Sequence, residues 1–230
     1  MRTQPRVLAF FGLLALSIVG IAVALVTALV NQDADAPSPS ASAVQRFEET
    51  LRGEKNVVVF RALKADAPAG QGQLAISAID QLGARTLGSM RCDRSYFAGG
   101  HGICVTRSRK FAEGYEAHLF DSRLRVDAAI RLDGIPSRAR VSPDGRLGAV
   151  TMFVTGHSYA DAGEFSTQTT LLDIRAGRVI TDLEQFTVMH GQRRITAVDV
   201  NFWGVTFSPV ESDHFYATLA TGGKTYLIEG

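Results

Sequence analysis

A strand, a tight turn and a second strand recur three times between residues 94 and 219. The clearest copy is Arg138-Ala139-Arg140-Val141-Ser142-Pro143-Asp144-Gly145-Arg146-Leu147-Gly148-Ala149-Val150. Pro143 suits the second turn position, where its fixed φ is useful, and Gly145 can take a positive φ. The same order occurs 44 residues earlier, where Arg94-Ser95-Tyr96-Phe97-Ala98 leads through Gly99-Gly100-His101-Gly102 to Ile103-Cys104-Val105. It returns 66 residues later as Trp203-Gly204-Val205-Thr206-Phe207-Ser208-Pro209, a degenerate turn to Asp213, then Phe215-Tyr216-Ala217-Thr218-Leu219. An insertion over residues 187–201 accounts for the longer spacing.

Two more strands are expected after each of the first two hairpins, over 116–121 and 126–132 and over 166–174 and 178–182. Beyond residue 55 no amphipathic helical pattern reaches 12 residues, so the body reads as all-β. Four antiparallel strands every 40 to 50 residues is the blade unit of a β-propeller. A sandwich also uses short strands, but it does not predict a four-strand unit that repeats its turn chemistry. The expected blades cover about 56–90, 91–135, 136–186 and 201–230. The first shows three strands (57–63, 73–80, 84–87), and the last ends on a third strand at 224–229. About four blades are therefore visible, and the expectation is an incomplete ring belonging to a longer one.

At Arg140-Val141-Ser142-Pro143-Asp144-Gly145-Arg146-Leu147 the sequence resembles the TolB-like propellers of bacterial envelopes, whose blades carry such Ser-Pro-Asp-Gly turns. The resemblance covers roughly residues 90–230, with a degenerate second copy at Ser208-Pro209. It implies an exported, non-enzymatic propeller that binds envelope proteins. The chain departs from that family before residue 55, which leaves no room for the family's extra N-terminal domain.

Residues 7–30 hold no charge, and only Gly12, Ser17, Gly20 and Thr27 interrupt their apolar run. As a helix they reach about 36 Å, against about 30 Å of hydrocarbon. The length favours a retained signal anchor, one N-terminal membrane helix over 1–30. The alternative is a signal peptide cut near Val26-Thr27-Ala28. Arg2 and Arg6 on one side, with Asp33 and Asp35 on the other, orient the N-terminus to the cytoplasm and the body outside it. The expected location is the cell membrane, or a secreted or periplasmic state after cleavage. Residues 31–55 read as a tether, rich in Ala, Ser and Pro near its start. A short helix over 44–51 would put Phe47 and Leu51 on one face.

Beyond residue 30, 22 basic side chains face 23 acidic ones, and no Lys/Arg block occurs. That balance excludes the footprint of a general nucleic-acid binder. The long loops expected at 64–72, 109–114, 156–165 and 183–202 all open on one face, and the short turns open on the other. Insertions confined to one face mark a docking surface. Its candidate residues are Arg109, His157, Tyr159, Asp161, Glu164, His190, Arg193, Arg194 and Asp199, with Lys110 and Phe111 beside them. The plainer account of the same residues is a set of tolerated surface loops.

Catalytic patterns are weak. Gly156-His157-Ser158-Tyr159 is half of a nucleophile elbow, but position 160 is Ala and no helix pattern follows. The five His are scattered, without metal-ligand spacing. No phosphate-loop pattern occurs, so neither cofactor nor metal is expected. Trp203 reads as a core residue among Phe202, Phe207, Phe215 and Tyr216. Cys92 and Cys104 are a candidate disulfide pair, since two Cys in an exported domain normally join. Geometry opposes it: an unbroken strand would separate them by roughly 13 Å at about 3.3 Å per residue. The pair closes only if the chain before Asp93 folds back.

Three functions follow. The foremost is a membrane-anchored extracytoplasmic binding module whose long-loop face engages an envelope protein or peptide. The alternatives are a propeller-based hydrolase or lyase with its site in the central funnel, and a structural or sensory ectodomain.

Overall fold

The structure is a computed structural model and describes residues 5–34, 40–53, 56–63, 72–108, 114–155, 165–197 and 199–230. The chain divides into two compact units, residues 1–38 with 64–70, and residues 39–63 with 71–230. The first unit is described by its helix α1 (Pro5–Ala34). Its side chains over 11–27 are exposed. Two of its hydroxyls bond back to their own helix, Ser17 Oγ to Leu13 O at 3.0 Å and Thr27 Oγ1 to Val23 O at 2.9 Å. Among the described residues no helix is long and apolar enough to cross a membrane.

The second unit is all-β apart from α2 (Ala41–Gly53) and two short 3-10 turns. The sequence expects a tether as far as residue 55, and this is corrected. Ser40 begins a helix, accepting N–H groups from Ala43 and Val44 at 2.9 and 3.1 Å. The helix buries Phe47 completely and Leu51 nearly so. A 3.6-residue period puts those two side chains one turn apart on one face, so the helix docks with an apolar stripe.

Four antiparallel meanders follow. Sheet I holds β1 (Val57–Arg61), β2 (Gln73–Ala78) and β3 (Thr86–Arg91). The third strand runs to Arg91, four residues past its expected end, with Gly88 in its middle. Sheet II holds β4 (Arg94–Ala98), β5 (His101–Arg107), β6 (Tyr115–Asp121) and β7 (Val126–Leu132). Sheet III holds β8 (Ile135–Val141), β9 (Leu147–Thr155), β10 (Phe165–Asp173) and β11 (Arg178–Asp182). Sheet IV holds β14 (Asn201–Phe207), β15 (Phe215–Thr221) and β16 (Lys224–Glu229). A two-residue hairpin, β12 (Met189–His190) with β13 (Arg193–Arg194), lies in the insertion between sheets III and IV.

Each strand pair is antiparallel and sequential, so side chains alternate between two faces of every sheet. Both faces of β2, β5, β6, β9 and β10 are largely buried, whereas β15 of sheet IV buries one face and leaves Tyr216 exposed on the other. From β9, Val150, Met152 and Val154 join Ile103, Val105, Ala117 and Leu119 of sheet II in one core. Ala149 of the same strand joins Phe202, Val205, Phe207 and Leu219 of sheet IV in another. A third core, with Leu74, Ile76, Phe120 and Leu124, joins sheet I, sheet II and α2 through Phe47 and Leu51. Between sheets III and IV the hydroxyls of Thr151 and Thr169 bond each other at 3.0 Å, and Thr169 Oγ1 reaches Phe202 O at 3.0 Å. Those buried polar atoms are thereby satisfied.

The second strands hold equivalent positions: β5 lies against β8, and β9 against β14. β1 lies against β4, and sheet I has three strands among the described residues. Sheet IV likewise has three.

Cys92 and Cys104 form a disulfide with Cα atoms 5.2 Å apart. The straight-strand geometry that opposes it does not apply. Cys92 donates its N–H to Gly72 O of sheet I, while Asp93 donates to Val105 O of sheet II. The chain thus changes sheets between residues 92 and 93, and that bend folds Cys92 back over Cys104.

Candidate functional site

Two faces of this unit differ in their chemistry. On the short-turn side, the Ser142–Gly145 turn is closed internally. Ser142 Oγ donates to Asp144 Oδ1 at 2.6 Å and accepts the Leu147 N–H at 2.8 Å. Asp144 also takes the Arg146 N–H at 3.0 Å. The Ser142 hydroxyl is the main cause holding the Asp144 carboxyl below its ordinary value, with the Arg146 N–H and charge adding to it. Gly145 has φ +72° and Gly99 φ +56°, and the two turns touch. A Cβ on Gly99 would fall 2.2 Å from Gly145 N, so this approach demands glycine. Arg146 bridges onward to Asp213 of the degenerate turn. There Ser208 Oγ accepts the N–H groups of Val210 and Glu211, both at 3.2 Å. The turn side is a row of mutually satisfied groups.

Of the nine sequence-derived docking candidates the structure describes four, His190, Arg193, Arg194 and Asp199. Arg109, His157, Tyr159, Asp161 and Glu164 lie outside the described residues. His190, Arg193 and Arg194 are exposed on the β12–β13 hairpin, with the His190 ring 6.1 Å from that of Tyr226. Asp199 is committed to the fold. It accepts from Thr221 Oγ1 and Gly222 N, both at 2.6 Å, and these bonds hold its carboxyl below the ordinary value. It thereby caps the β15–β16 turn while remaining at the surface. The loop begins with Glu184, whose carboxylate turns in to accept the Thr169 N–H through both oxygens at 3.0 and 3.1 Å. Desolvation dominates there and pushes the Glu184 carboxyl up to about 7.

The described geometry also exposes a strip that sequence reasoning missed: the first strands of sheets II, III and IV. Arg94 and Tyr96 of β4, Arg138 and Arg140 of β8, and Trp203 of β14 are its solvent-facing or half-buried side chains. The Arg140 guanidinium sits over the Tyr96 ring, 4.9 Å from its centroid, linking sheets III and II. Arg94 Nε donates to Ser137 O and its Nη1 to Asp93 O, both at 2.7 Å. Arg138 extends along Gly204 of sheet IV, where a Cβ would meet its Cδ at 2.9 Å. Trp203 is corrected from a core residue: it is 38% exposed and stands edge-on to Phe153 at 5.9 Å. A bulge between Phe202 and Val205 breaks the alternation of β14 and turns the indole outward.

None of Arg94, Arg138 and Arg140 pairs with a carboxylate among the described residues. Burial first and the Arg138 charge second hold the Arg140 guanidinium below its ordinary value. Elsewhere arginines find acids: Arg125 binds Asp121 at 3.1 Å, Arg131 binds Asp133 at 3.4 Å and Arg178 binds Asp173 at 3.8 Å. Nearby, Arg61 Nη1 donates to Asp93 O at 2.7 Å, while its buried Nε has no partner. The alternating Arg-x-Arg of β8 was the available signal, since period 2 puts both on one face.

Among the described residues no group of three or more His, Cys, Asp or Glu is arranged to hold a metal ion. A shallow cleft between α2 and sheet I is lined by Thr50, Ser77, Asp80 and Gln81. The Ser77 hydroxyl is spent there on Gln81 O at 2.7 Å.

No family model matches the chain, and no curated protein matches its sequence. Among solved structures it is similar to the Pyrococcus horikoshii acylaminoacyl peptidase in an orthorhombic crystal form, with a TM-score of 0.38 and 13% identity. The match covers 77% of this chain and 31% of that protein, so the chain spans about a third of its length.

Proposed function

We propose that this chain is a membrane-tethered, extracytoplasmic β-propeller module that binds an envelope protein or peptide and does not turn over a substrate. The observation that carries the reading is the unneutralised strip of Arg94, Arg138 and Arg140 beside Tyr96 and Trp203. Solvent-facing arginine and aromatic side chains are the residue types that dominate protein recognition.

The propeller form is supported by three cores, each between consecutive sheets, and by the matching contacts of β5 with β8 and of β9 with β14. The Ser-Pro-Asp-Gly turn, with its TolB-like resemblance, favours an envelope setting. The uncharged run 7–30, lying within α1, supplies the anchor in this reading. The disulfide accords with a body outside the cytoplasm. A propeller-based hydrolase or lyase is the competing reading, and no nucleophile–base pair among the described residues favours it.

Photo-crosslinking in cells tests the proposal. A crosslinker at position 193, on the hairpin of the long-loop side, is expected to capture one discrete protein. The same group at position 213, on the turn side, is expected to capture none. Equal capture from both positions, or none from either combined with turnover of a hydrolase substrate by the purified chain, would sink the binding reading.

A further inference from the structure

We infer that the strip formed by Arg94, Tyr96, Arg138 and Arg140 is a recognition site for an extended acidic peptide segment of a partner protein. The inference rests on the binding-module reading above and names the chemistry of its ligand.

The first observation is an imbalance of charge in a balanced body. Beyond residue 30 the chain carries slightly more acids than bases, yet three guanidiniums stand on two adjacent first strands with no carboxylate paired to any of them. Burial chiefly, and the Arg138 charge after it, hold the Arg140 guanidinium below its ordinary value, so part of that shift is repulsion between neighbouring cations. Acids in an incoming ligand would remove that repulsion.

The second observation is that the arginines are positioned. Arg140 is held by its stack on Tyr96 and by its own Nη1 bond to Ala139 O at 2.9 Å, and Arg94 by Ser137 O. Arg138 lies against Gly204, whose lack of a Cβ makes the room for it, and has no hydrogen bond of its own. Its five donors are free for a bidentate carboxylate contact. Fixing long side chains before binding removes part of the entropy cost of association.

The third observation selects a peptide over a single small anion. Arg94 of β4 is held by Ser137 O, Arg140 of β8 by the Tyr96 ring, and Arg138 lies along Gly204, so the cations are spread over separate contacts on two strands. An extended chain presents a side chain to the same face about every 7 Å and can meet a row of cations with successive acids. Tyr96, 37% exposed, and Trp203, 38% exposed, offer apolar surface to the residues between them.

The test uses the full chain in detergent micelles and a fluorescein-labelled (Glu-Gly)4 peptide, read by anisotropy. Binding is expected to weaken as KCl rises, and to fall at least tenfold in the Arg94→Gln/Arg138→Gln/Arg140→Gln variant. Arg138→Gln alone, at a residue that makes no hydrogen bond in the fold, should lose about fivefold with an unchanged melting curve. Arg138→Glu should weaken (Glu-Gly)4 binding further than Arg138→Gln does. The control Arg125→Gln/Arg178→Gln should stay within twofold of the parent. A triple variant as tight as the parent, or (Gln-Gly)4 binding as well as (Glu-Gly)4, would overturn the inference. So would displacement of the peptide by inorganic phosphate or a short oligonucleotide at equal concentration. If the triple variant still crosslinks its partner from position 193, the binding module stands and only the ligand chemistry falls.

Discussion

The turn side and the first-strand strip are built from the same sheets, and they treat charge in opposite ways. On the turn side Asp144, Arg146 and Asp213 neutralise one another, and Arg175 reaches Asp144 O at 3.3 Å. On the strip Arg94 and Arg140 are held only by neutral groups, a ring and backbone carbonyls, and Arg138 lies along Gly204. Closed networks add to stability and leave nothing for a partner, while the strip gives up that stabilisation and retains its donors. The difference teaches where function resides in a fold of near-identical units: in the positions whose groups the fold leaves unsatisfied.

Four changes would break or sharpen that contrast. The largest effect is expected on the turn side from Gly99→Ala, where a Cβ must enter the space of the Gly145 and Asp144 backbone at a positive φ. Backbone against backbone cannot relax as a side-chain tip does, so the loss should reach about 3 kcal/mol, read by urea denaturation. Removing the disulfide by Cys92→Ala/Cys104→Ala should cost about 2–3 kcal/mol for so short a loop. The strip and the turn side would then diverge, because the lost crosslink lies where the chain enters β4. Ser142→Ala should follow at about 1–2 kcal/mol, since the Leu147 N–H loses its hydroxyl acceptor. A melt of Ser142→Ala no lower than that of Arg131→Gln, an exposed pair worth at most about 0.5 kcal/mol, would show that the turn network contributes nothing.

The smallest effect concerns pH at the start of the insertion. Glu184 titrates near 7 in the fold, above its ordinary value, so its contribution to stability is full below about pH 4.5 and lost as pH rises through about 7. Glu184→Gln keeps an oxygen to accept the Thr169 N–H and should flatten the melting temperature between pH 5 and 8. Asp144 has the opposite sign. Its folded value is depressed, so its contribution is present above the unfolded value near 3.8 and is lost as pH falls below it. A parent melt that does not drop between pH 5 and 8, relative to Glu184→Gln, would remove Glu184 from the account.

Much of the architecture was legible because its signals are local. The repeated turn residues at 142–145 and 99–102, and the strands flanking them, follow from steric rules at single residues. The candidate site was less legible. The sequence pointed to loop insertions, and it passed over β4 and β8, whose arginines lie in strands that read as ordinary β segments. Trp203 was misjudged because the bulge at Gly204 that turns it outward breaks the alternation used to judge it. The bonds of Asp199 are invisible in the sequence because its partners, Thr221 and Gly222, are more than twenty residues away.

By itself, then, the sequence determined the element type and the turn geometry, each of which depends on neighbours within a few residues. Only the tertiary structure decided which charges are neutralised, whether Cys92 reaches Cys104, and that residues 41–53 dock against sheet I. Those outcomes depend on how one sheet meets the next. Coulomb attraction, a disulfide and apolar packing all act across a few ångströms of space, whatever the distance along the chain.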